Sequence, residues 1–296
     1  MGVFAERDGR VTPLRDGVAG RSLEGIVRAE VYLDPKTMVC ALPAAGLHKA
    51  PDAASEQINQ LLFGEPFEVI EEEGAYLWGQ APRDGYVGFV AASGLRPLAA
   101  TPTGDGEGDG EADGRPTHRI SAIRTYAFAG PSIKSQARGP YSMNALVTVE
   151  DLDGRLAKVA GAGWMTADHL TPIGVFETDW AGVAERFLGA PYLWGGRESL
   201  GLDCSGLVQA GLFACGIACP RDADQQAALG HEISPGDFGR GDLVFWNGHV
   251  AIGLNASRIV HANGFHMAVA IEPLEGAIAR IDAAGVGMPT AYRRIA

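Results

Sequence analysis

The chain has 296 residues, a hydrophobic fraction of 46% and a formal net charge of -12 at pH 7. Its length, 41 glycines and 17 prolines predict two or three compact units with many turns. The acidic balance disfavours nucleic acid as a partner, because clustered Lys and Arg supply most of the affinity for a phosphate backbone.

Several features bear on where the protein works. The N-terminus lacks the basic stretch and apolar run of a secretory signal, and no apolar span has membrane length. The four cysteines (Cys40, Cys204, Cys215 and Cys219) are too few and too unevenly placed for a disulfide framework. We therefore expect a reduced, cytoplasmic monomer with no membrane partner. A processed or truncated start would instead make it a secreted protein.

Two β-rich segments with similar sequences occupy the first part of the chain. "GFVAASGLRPL" (88–98) and "GWMTADHLTPI" (163–173) align without a gap, and alternating apolar residues and Gly-closed turns predict short strands. This pattern resembles the bacterial SH3-like module. Between the copies, "TPTGDGEGDGEADGRPT" alternates Gly with acids, which predicts an exposed linker. The predicted boundaries are an arm over 1–29, a first module over 30–99, a linker over 100–117 and a second module over 118–174.

The apolar spacing becomes helical from Thr178, which predicts a different domain over 175–296. Within it, "LDCSGLVQAGLFACG" predicts a helix whose first turn contains Cys204. The unsatisfied N–H groups and positive dipole at a helix N-terminus favour a thiolate and lower a cysteine pKa. Cys204 is therefore a candidate nucleophile, and the alternative is a small buried core residue.

Two histidines supply a base and a group to orient it. In "GDLVFWNGHVAIGLNASRIVHANG", Asn247-Gly248 predicts a tight hairpin turn, so His249 begins one strand and His261 lies near the end of the next. A three-residue turn near Asn255, between these two strands, would put both rings on one face, and a two-residue turn would put them on opposite faces. Zinc binding is the alternative role for this combination of Cys and His residues. We expect no metal, because the cysteine is distant in sequence and the short ligand pair typical of zinc is missing.

Four segments in order, "PYLWGG", "LDCSGLVQ", "GDLVFWNGHVAIG" and "IVHANG", resemble the NlpC-type cell-wall cysteine peptidases. The resemblance implies an α+β fold, with a papain-like NlpC-type catalytic domain preceded by two small β-barrel SH3-like domains. In the first module, "SEQINQLLFGE" (55–65) and "RDGYVGFV" (83–90) also resemble the murein-peptide recycling branch of that family. The implied reaction is hydrolysis of the bond between γ-D-glutamyl and a diamino acid, with no cofactor. The implied substrate is free L-Ala-γ-D-Glu-diaminopimelate.

The resemblance also assigns roles by position. It makes Cys204 the nucleophile, His249 the base and His261 the third polar residue, and it places Tyr192 beside the oxyanion. A phenol O–H and the Cys204 backbone N–H are suitable donors to that developing charge.

Substrate contacts are expected on both sides of the nucleophile. Arg221 precedes a short helix that Asp222 caps, so the Arg221 guanidinium and the free N–H groups at the helix start are placed to meet a substrate carboxylate. By resemblance, Asp203 binds a free N-terminal ammonium together with Glu56 and Tyr86 of the first module. The full predicted substrate-binding set is Asp203, Ser205, Arg221, Asp222, Trp194, Tyr86 and Glu56.

Three other functions remain open from sequence. A secreted form would be a wall-turnover hydrolase. A binding protein would grip a wall peptide with its SH3-like modules, although Cys204, His249 and His261 are all retained. An acyltransferase would use the same three residues and an apolar acyl groove.

Overall fold

The computed structural model describes residues 7–98 and 115–295. The chain divides into two compact units, the first ending at Ile173 and the second beginning at Gly174. Most of the predicted linker over 100–117 lies outside the described residues. Among the helices that the structure describes, none is long and apolar enough to cross a membrane.

The N-terminal arm forms a small sheet of its own. Its elements are β1 (Leu14–Arg15), β2 (Val18–Gly20), a 3-10 helix (Arg21–Leu23) and β3 (Val31–Leu33). We predicted that residues from 30 onward belong to the first module, but β3 pairs in parallel with β2 of the arm. The arm is attached to the first module by backbone groups, since Val87 N–H donates to the Arg10 carbonyl at 2.8 Å.

The first module is a seven-stranded antiparallel sheet in the order β10-β4-β7-β8-β9-β5-β6. Alternate side chains point inward and close a core around Leu47, Phe67 and Val90, each 0% exposed. Its elements are β4 (Lys36–Cys40), β5 (Ala44–His48), β6 (Gln57–Leu62), β7 (Pro66–Glu73), β8 (Tyr76–Gln80), β9 (Val87–Ala91), a 3-10 helix (Ala92–Gly94) and β10 (Leu95–Pro97).

The second module repeats the ending of the first, in which a strand, a 3-10 turn and a short strand follow one another. Its strands form a three-stranded sheet, β14-β11-β18, and a five-stranded sheet, β13-β12-β17-β16-β15. Its elements are β11 (His118–Ile120), β12 (Arg124–Phe128), β13 (Ala137–Ser142), β14 (Leu146–Val147), β15 (Val149–Asp153), β16 (Leu156–Val159), β17 (Gly163–Thr166), a 3-10 helix (Ala167–His169) and β18 (Leu170–Pro172).

The two modules share apolar packing. Phe63 of the first module is 2% exposed and belongs to the core cluster of the second. Its ring meets Tyr141 edge-on, with 5.1 Å between ring centroids. Its carbonyl accepts the Leu146 N–H at 2.8 Å. These contacts hold the two modules together.

The C-terminal unit is a six-stranded sheet in the order β21-β26-β22-β23-β24-β25, with helices packed against it. Helix α2 is buried along its whole length. The observed mixture of sheets and few helices confirms the predicted α+β class. The helices are α1 (Trp180–Glu185), α2 (Cys204–Ala214), α3 (Ala223–Gln226), a 3-10 helix (Pro235–Asp237) and α4 (Leu274–Ala283). The strands are β19 (Arg197–Glu198), β20 (Gly201–Leu202), β21 (His231–Glu232), β22 (Asp242–Trp246), β23 (His249–Asn255), β24 (Arg258–Asn263), β25 (Ala268–Pro273) and β26 (Ala291–Arg294).

We expect Gly64→Ala to destabilise the first unit far more than Gly74→Ala. Both glycines have positive φ, at +75° and +60°, so both substitutions carry backbone strain. A Cβ at Gly64 would also lie 2.0 Å from the Leu146 carbonyl oxygen of the second module, whereas a Cβ at Gly74 meets nothing within 4 Å. Overpacking of this kind costs roughly 1–3 kcal/mol beyond the strain. Urea unfolding of both variants measures the difference, and equal losses would contradict the shared packing.

Candidate active site

Helix α2 begins at Cys204, as predicted. Asp203 is its N-cap, and one carboxylate oxygen accepts the Gly206 N–H at 2.8 Å. The Cys204 sulfur accepts hydrogen bonds from the backbone N–H groups of Ser205 and Val250. Because Val250 follows His249 on β23, this bond places the thiol at the start of the strand that carries the first histidine.

The structure brings the two histidines together by a route that differs from the expected one. The turn between β23 and β24 has only two residues, which by itself would put the rings on opposite faces. The register then shifts between Gly253 and Asn255, so Leu254 is an extra residue in β23. This β-bulge restores the parity that a three-residue turn would have supplied. His249 Nε2 and His261 Nδ1 consequently lie 2.8 Å apart.

Sequence reasoning missed Glu272. This residue lies on β25 opposite Ile259, one diagonal step from His261, and its Oε1 is 2.7 Å from His261 Nε2. Arg280 of α4 also donates to Oε1. The alternation in "AVAIEP" predicts a strand, but only the pairing of β24 with β25 brings this acid beside the histidine.

Burial dominates the electrostatics of the nucleophile and base. Loss of solvent, and then the charge of Asp203, raise the pKa of Cys204 to about 12. Burial, followed by the electrostatic influence of His261 and Arg280, lowers the pKa of His249 to about 3. The resting pair is therefore a neutral thiol and a neutral imidazole. Desolvation thus opposes the thiolate that the two N–H donors and the helix dipole favour, and it shifts both groups toward their neutral forms.

Tyr192 stands next to this pair. Its backbone pairs in parallel with Leu202, and its N–H donates to the Met267 carbonyl at 3.0 Å. Burial and then the charges of Cys204 and Asp203 raise the pKa of its hydroxyl, so the phenol keeps its proton and stays a donor. In the same segment Trp194 is 58% exposed.

The structure brings Asp203, Ser205 and Arg221, three of the predicted substrate-binding residues, together in one buried cluster. Arg221 is 1% exposed and Asp203 is 5% exposed, and they form a bidentate ion pair with N–O distances of 2.9 and 2.5 Å. The Ser205 hydroxyl accepts from Arg221 at 2.8 Å. We expected the Asp203 carboxylate to bind a substrate ammonium and the Arg221 guanidinium to bind a substrate carboxylate. In the structure these two charged groups are paired with each other inside the protein. This pairing holds the start of α2 in place.

The predicted capping role of Asp222 is confirmed, but its role in binding a substrate carboxylate is not supported. Asp222 and Gln225 form a reciprocal capping box, in which the Asp222 N–H donates to Gln225 Oε1 at 3.2 Å. The helix has only four residues, Ala223–Gln226. Its Gln225 N–H, one of the groups expected to meet a substrate carboxylate, donates to the Asp222 side chain instead.

Glu56 and Tyr86 come together in the first module. They line one pocket of about 380 Å³ with Trp78, Phe89 and Lys49. The Glu56 carboxylate is 3.5 Å from the Lys49 ammonium in an exposed ion pair. The pocket therefore combines aromatic walls with a carboxylate that faces solvent.

One group of three potential metal ligands occurs in the part of the chain that the structure describes. His261, His266 and Glu272 place one ligand atom each within 4.8 Å of one another. Two of them already share a hydrogen bond, and the Arg280 guanidinium rests on Glu272. A cation at this position would meet that positive charge, so these side chains fit a hydrogen-bonded chain better than a metal site.

A cysteine at the start of a buried helix, with two hydrogen-bonded histidines on neighbouring strands, is the constellation of a papain-like hydrolase. Comparison with known proteins agrees with this class. Residues 189–286 match the NlpC/P60 family, and residues 47–95 match the bacterial dipeptidyl-peptidase SH3 domain. The chain therefore contains an NlpC/P60 domain and a bacterial SH3 domain, which confirms the predicted resemblance.

Individual relatives are consistent with this assignment. The chain is 27% identical over 232 residues to dipeptidyl-peptidase 6 of Lysinibacillus sphaericus, covering 74% of this chain and 84% of that protein. It is 47% identical over 60 residues to the gamma-D-glutamyl-L-lysine dipeptidyl-peptidase of Bacillus subtilis (strain 168), which is 20% of each chain. A crystal structure of an NlpC/P60 family protein from Bacillus cereus ATCC 10987 has the same fold, with a TM-score of 0.70 at 20% identity, over 88% of this chain and 99% of that one.

The neutral resting pair predicts how the thiol reacts with iodoacetamide. With the pKa of Cys204 near 12, the thiolate fraction rises about tenfold for each pH unit across the neutral range, and the alkylation rate should rise with it. Mass spectrometry of the Cys204 peptide at several pH values measures this rate. The Cys204→Ala variant corrects for alkylation of the other cysteines. A rate that stays flat from about pH 6 to about pH 9 would reveal a preformed thiolate–imidazolium pair instead.

Proposed function

We propose that this protein is a cysteine endopeptidase that hydrolyses the γ-D-glutamyl to diamino acid bond of peptidoglycan peptides. The observation that carries the proposal is the thiol of Cys204, which accepts the Val250 N–H while the adjacent His249 is held by His261. The name of one relative, the gamma-D-glutamyl-L-lysine dipeptidyl-peptidase of Bacillus subtilis, supports this bond as the target. No cofactor takes part in the reaction.

The first half of the reaction forms a thioester. As substrate displaces solvent, the Cys204 proton passes to His249 and the sulfur attacks the γ-glutamyl carbonyl carbon. The carbonyl π electrons move to oxygen, where the Tyr192 O–H and the Cys204 backbone N–H stabilise the developing charge. When the tetrahedral species collapses, the C–N bond breaks and the His249 imidazolium gives its proton to the leaving amine.

The second half releases the glutamyl product. Water enters after the diamino acid leaves, and neutral His249 takes its proton as the oxygen attacks the thioester carbon. The C–S bond breaks and the sulfur recovers its proton from His249. The enzyme then returns to the neutral thiol and imidazole of the resting structure.

The finer proposal concerns the substrate, which is free L-Ala-γ-D-Glu-diaminopimelate in the recycling of murein peptides. Asp203 is paired with Arg221 and leaves recognition of the substrate ammonium to Glu56. An ion pair as exposed as that between Glu56 and Lys49 is weak, so a substrate ammonium can compete with Lys49 for the carboxylate. The Tyr86 ring forms part of the same pocket wall.

The test of the reaction is incubation of wild type and Cys204→Ala with L-Ala-γ-D-Glu-diaminopimelate and with its N-acetylated form. We expect wild type to release free diaminopimelate from the free-amine peptide only, and Cys204→Ala to release none, because the nucleophile is lost. Mass spectrometry detects the product. Cleavage of both peptides would support the proposed reaction but contradict the requirement for a free N-terminal amine. Cleavage of neither would contradict the proposal and favour a binding protein or an acyltransferase.

A second measurement tests Glu56. We expect Glu56→Gln to raise KM for the free-amine peptide by about tenfold with little change in kcat, because a charged hydrogen bond made in ground and transition states alike is lost. Glu72→Gln is the matched control, since Glu72 is an exposed acid on β7 of the same module. Equal KM values for the two variants would contradict recognition of the ammonium by Glu56.

A further inference from the structure

A continuous chain of hydrogen bonds runs from the proposed base to α4. His249 Nε2 meets His261 Nδ1 at 2.8 Å, and His261 Nε2 meets Glu272 Oε1 at 2.7 Å. Arg280 closes the chain by donating to the same carboxylate oxygen, and its guanidinium stacks on Phe265 at 4.4 Å from the ring centroid. Each ring nitrogen of His261 is therefore engaged by a neighbour on β23 or β25.

The carboxylate at the end of this chain determines where every proton lies. An ionised carboxylate accepts hydrogen bonds and cannot donate, so His261 must carry its proton on Nε2. The bare Nδ1 of His261 is then an acceptor, and His249 must donate from Nε2. A neutral imidazole has one N–H, which leaves His249 Nδ1 bare. Nδ1 is also the ring nitrogen of His249 that His261 does not occupy, and only a bare nitrogen can take the proton of Cys204.

We propose that Glu272 is a positioning residue that sets the tautomers of both histidines and stabilises the imidazolium formed on His249. The inference deepens the proposed function and rests on it for its catalytic consequence. Glu272 touches neither substrate nor thiol, and it acts on His249 through His261.

The negative charge of Glu272 is maintained by its neighbours. Burial alone would raise the pKa of its carboxyl, but hydrogen bonds from His261 and Arg280 and the charges of these groups hold that pKa at about 2. The carboxylate therefore stays ionised throughout the neutral range. When His249 accepts the Cys204 proton, both of its ring nitrogens carry hydrogen and the ring becomes positively charged. The negative carboxylate of Glu272 stabilises this charge, and no proton moves along the hydrogen-bonded chain.

The tautomers can be read directly in the wild-type protein. In protein labelled with nitrogen-15 in its seven histidine rings, bare and protonated ring nitrogens have well separated chemical shifts. We expect both His249 and His261 to be protonated on Nε2 and bare on Nδ1, with assignments from single His→Gln variants. A proton on Nδ1 of His261 in wild type would overturn the proposal. This measurement needs no substrate, so it stands even if the proposed reaction fails.

Two variants of Glu272 separate the effect of its negative charge from its ability to accept a hydrogen bond. We expect Glu272→Met to lower kcat on the order of 10²-fold with little change in KM and to give mixed histidine tautomers, because acceptor and charge are both lost. Glu272→Gln retains an acceptor oxygen without the charge, and Arg280, which can only donate, keeps that oxygen rather than the NH2 group at the position of Oε1. This variant should therefore keep the wild-type tautomers and lose only part of kcat.

Glu275→Met and Glu275→Gln are the matched controls, since Glu275 is an exposed acid in the first turn of α4. Thermal melts check whether each variant is folded. A kcat for Glu272→Met equal to that of Glu275→Met, or wild-type tautomers in Glu272→Met, would overturn the role of the carboxylate.

Discussion

Complete burial of α2 is the constraint on which the C-terminal unit depends. All residues from Cys204 to Ala214 are buried, so the helix must lie against both the sheet and α1. A Cβ at Gly211 would lie 2.8 Å from the Trp180 carbonyl oxygen, which shows how closely α1 approaches. The start of such a helix requires internal partners, and the Asp203 carboxylate supplies them with Arg221. The nucleophile is thereby held in a rigid, nearly dry position.

The same burial shapes the chemistry. Removal of solvent disfavours the charged forms of the Cys204 thiol and the His249 imidazole, so the neutral pair is favoured over an ion pair. In the proposed reaction, catalysis depends on groups that stabilise charge only when it develops. Tyr192 is placed to do so on the oxyanion side, and the carboxylate of Glu272 on the imidazolium side. Preorganised partners of this kind need little rearrangement during the reaction.

In the first unit, the shared core suggests why two modules occur together. A single small sheet buries limited apolar surface, and the second module covers Phe63 and the turn that follows it. The pocket with Glu56 and Tyr86 lies in the first module, and residues of the N-terminal arm, including Arg10 and Leu14, complete its wall. Under the proposed function, the second module and the arm stabilise a recognition surface made mainly by the first.

The sequence by itself determined the locally encoded features: the start of α2 at Cys204, the hairpin at Asn247-Gly248 and the paired β-rich segments. Caps, tight turns and periodicity depend on residues close together in the chain. Tertiary structure alone decided the bulge at Leu254, the contact of Glu272 with the histidines and the neutral state of the thiol. Strand register and desolvation depend on which distant segments pack together, and no short stretch of sequence specifies that choice.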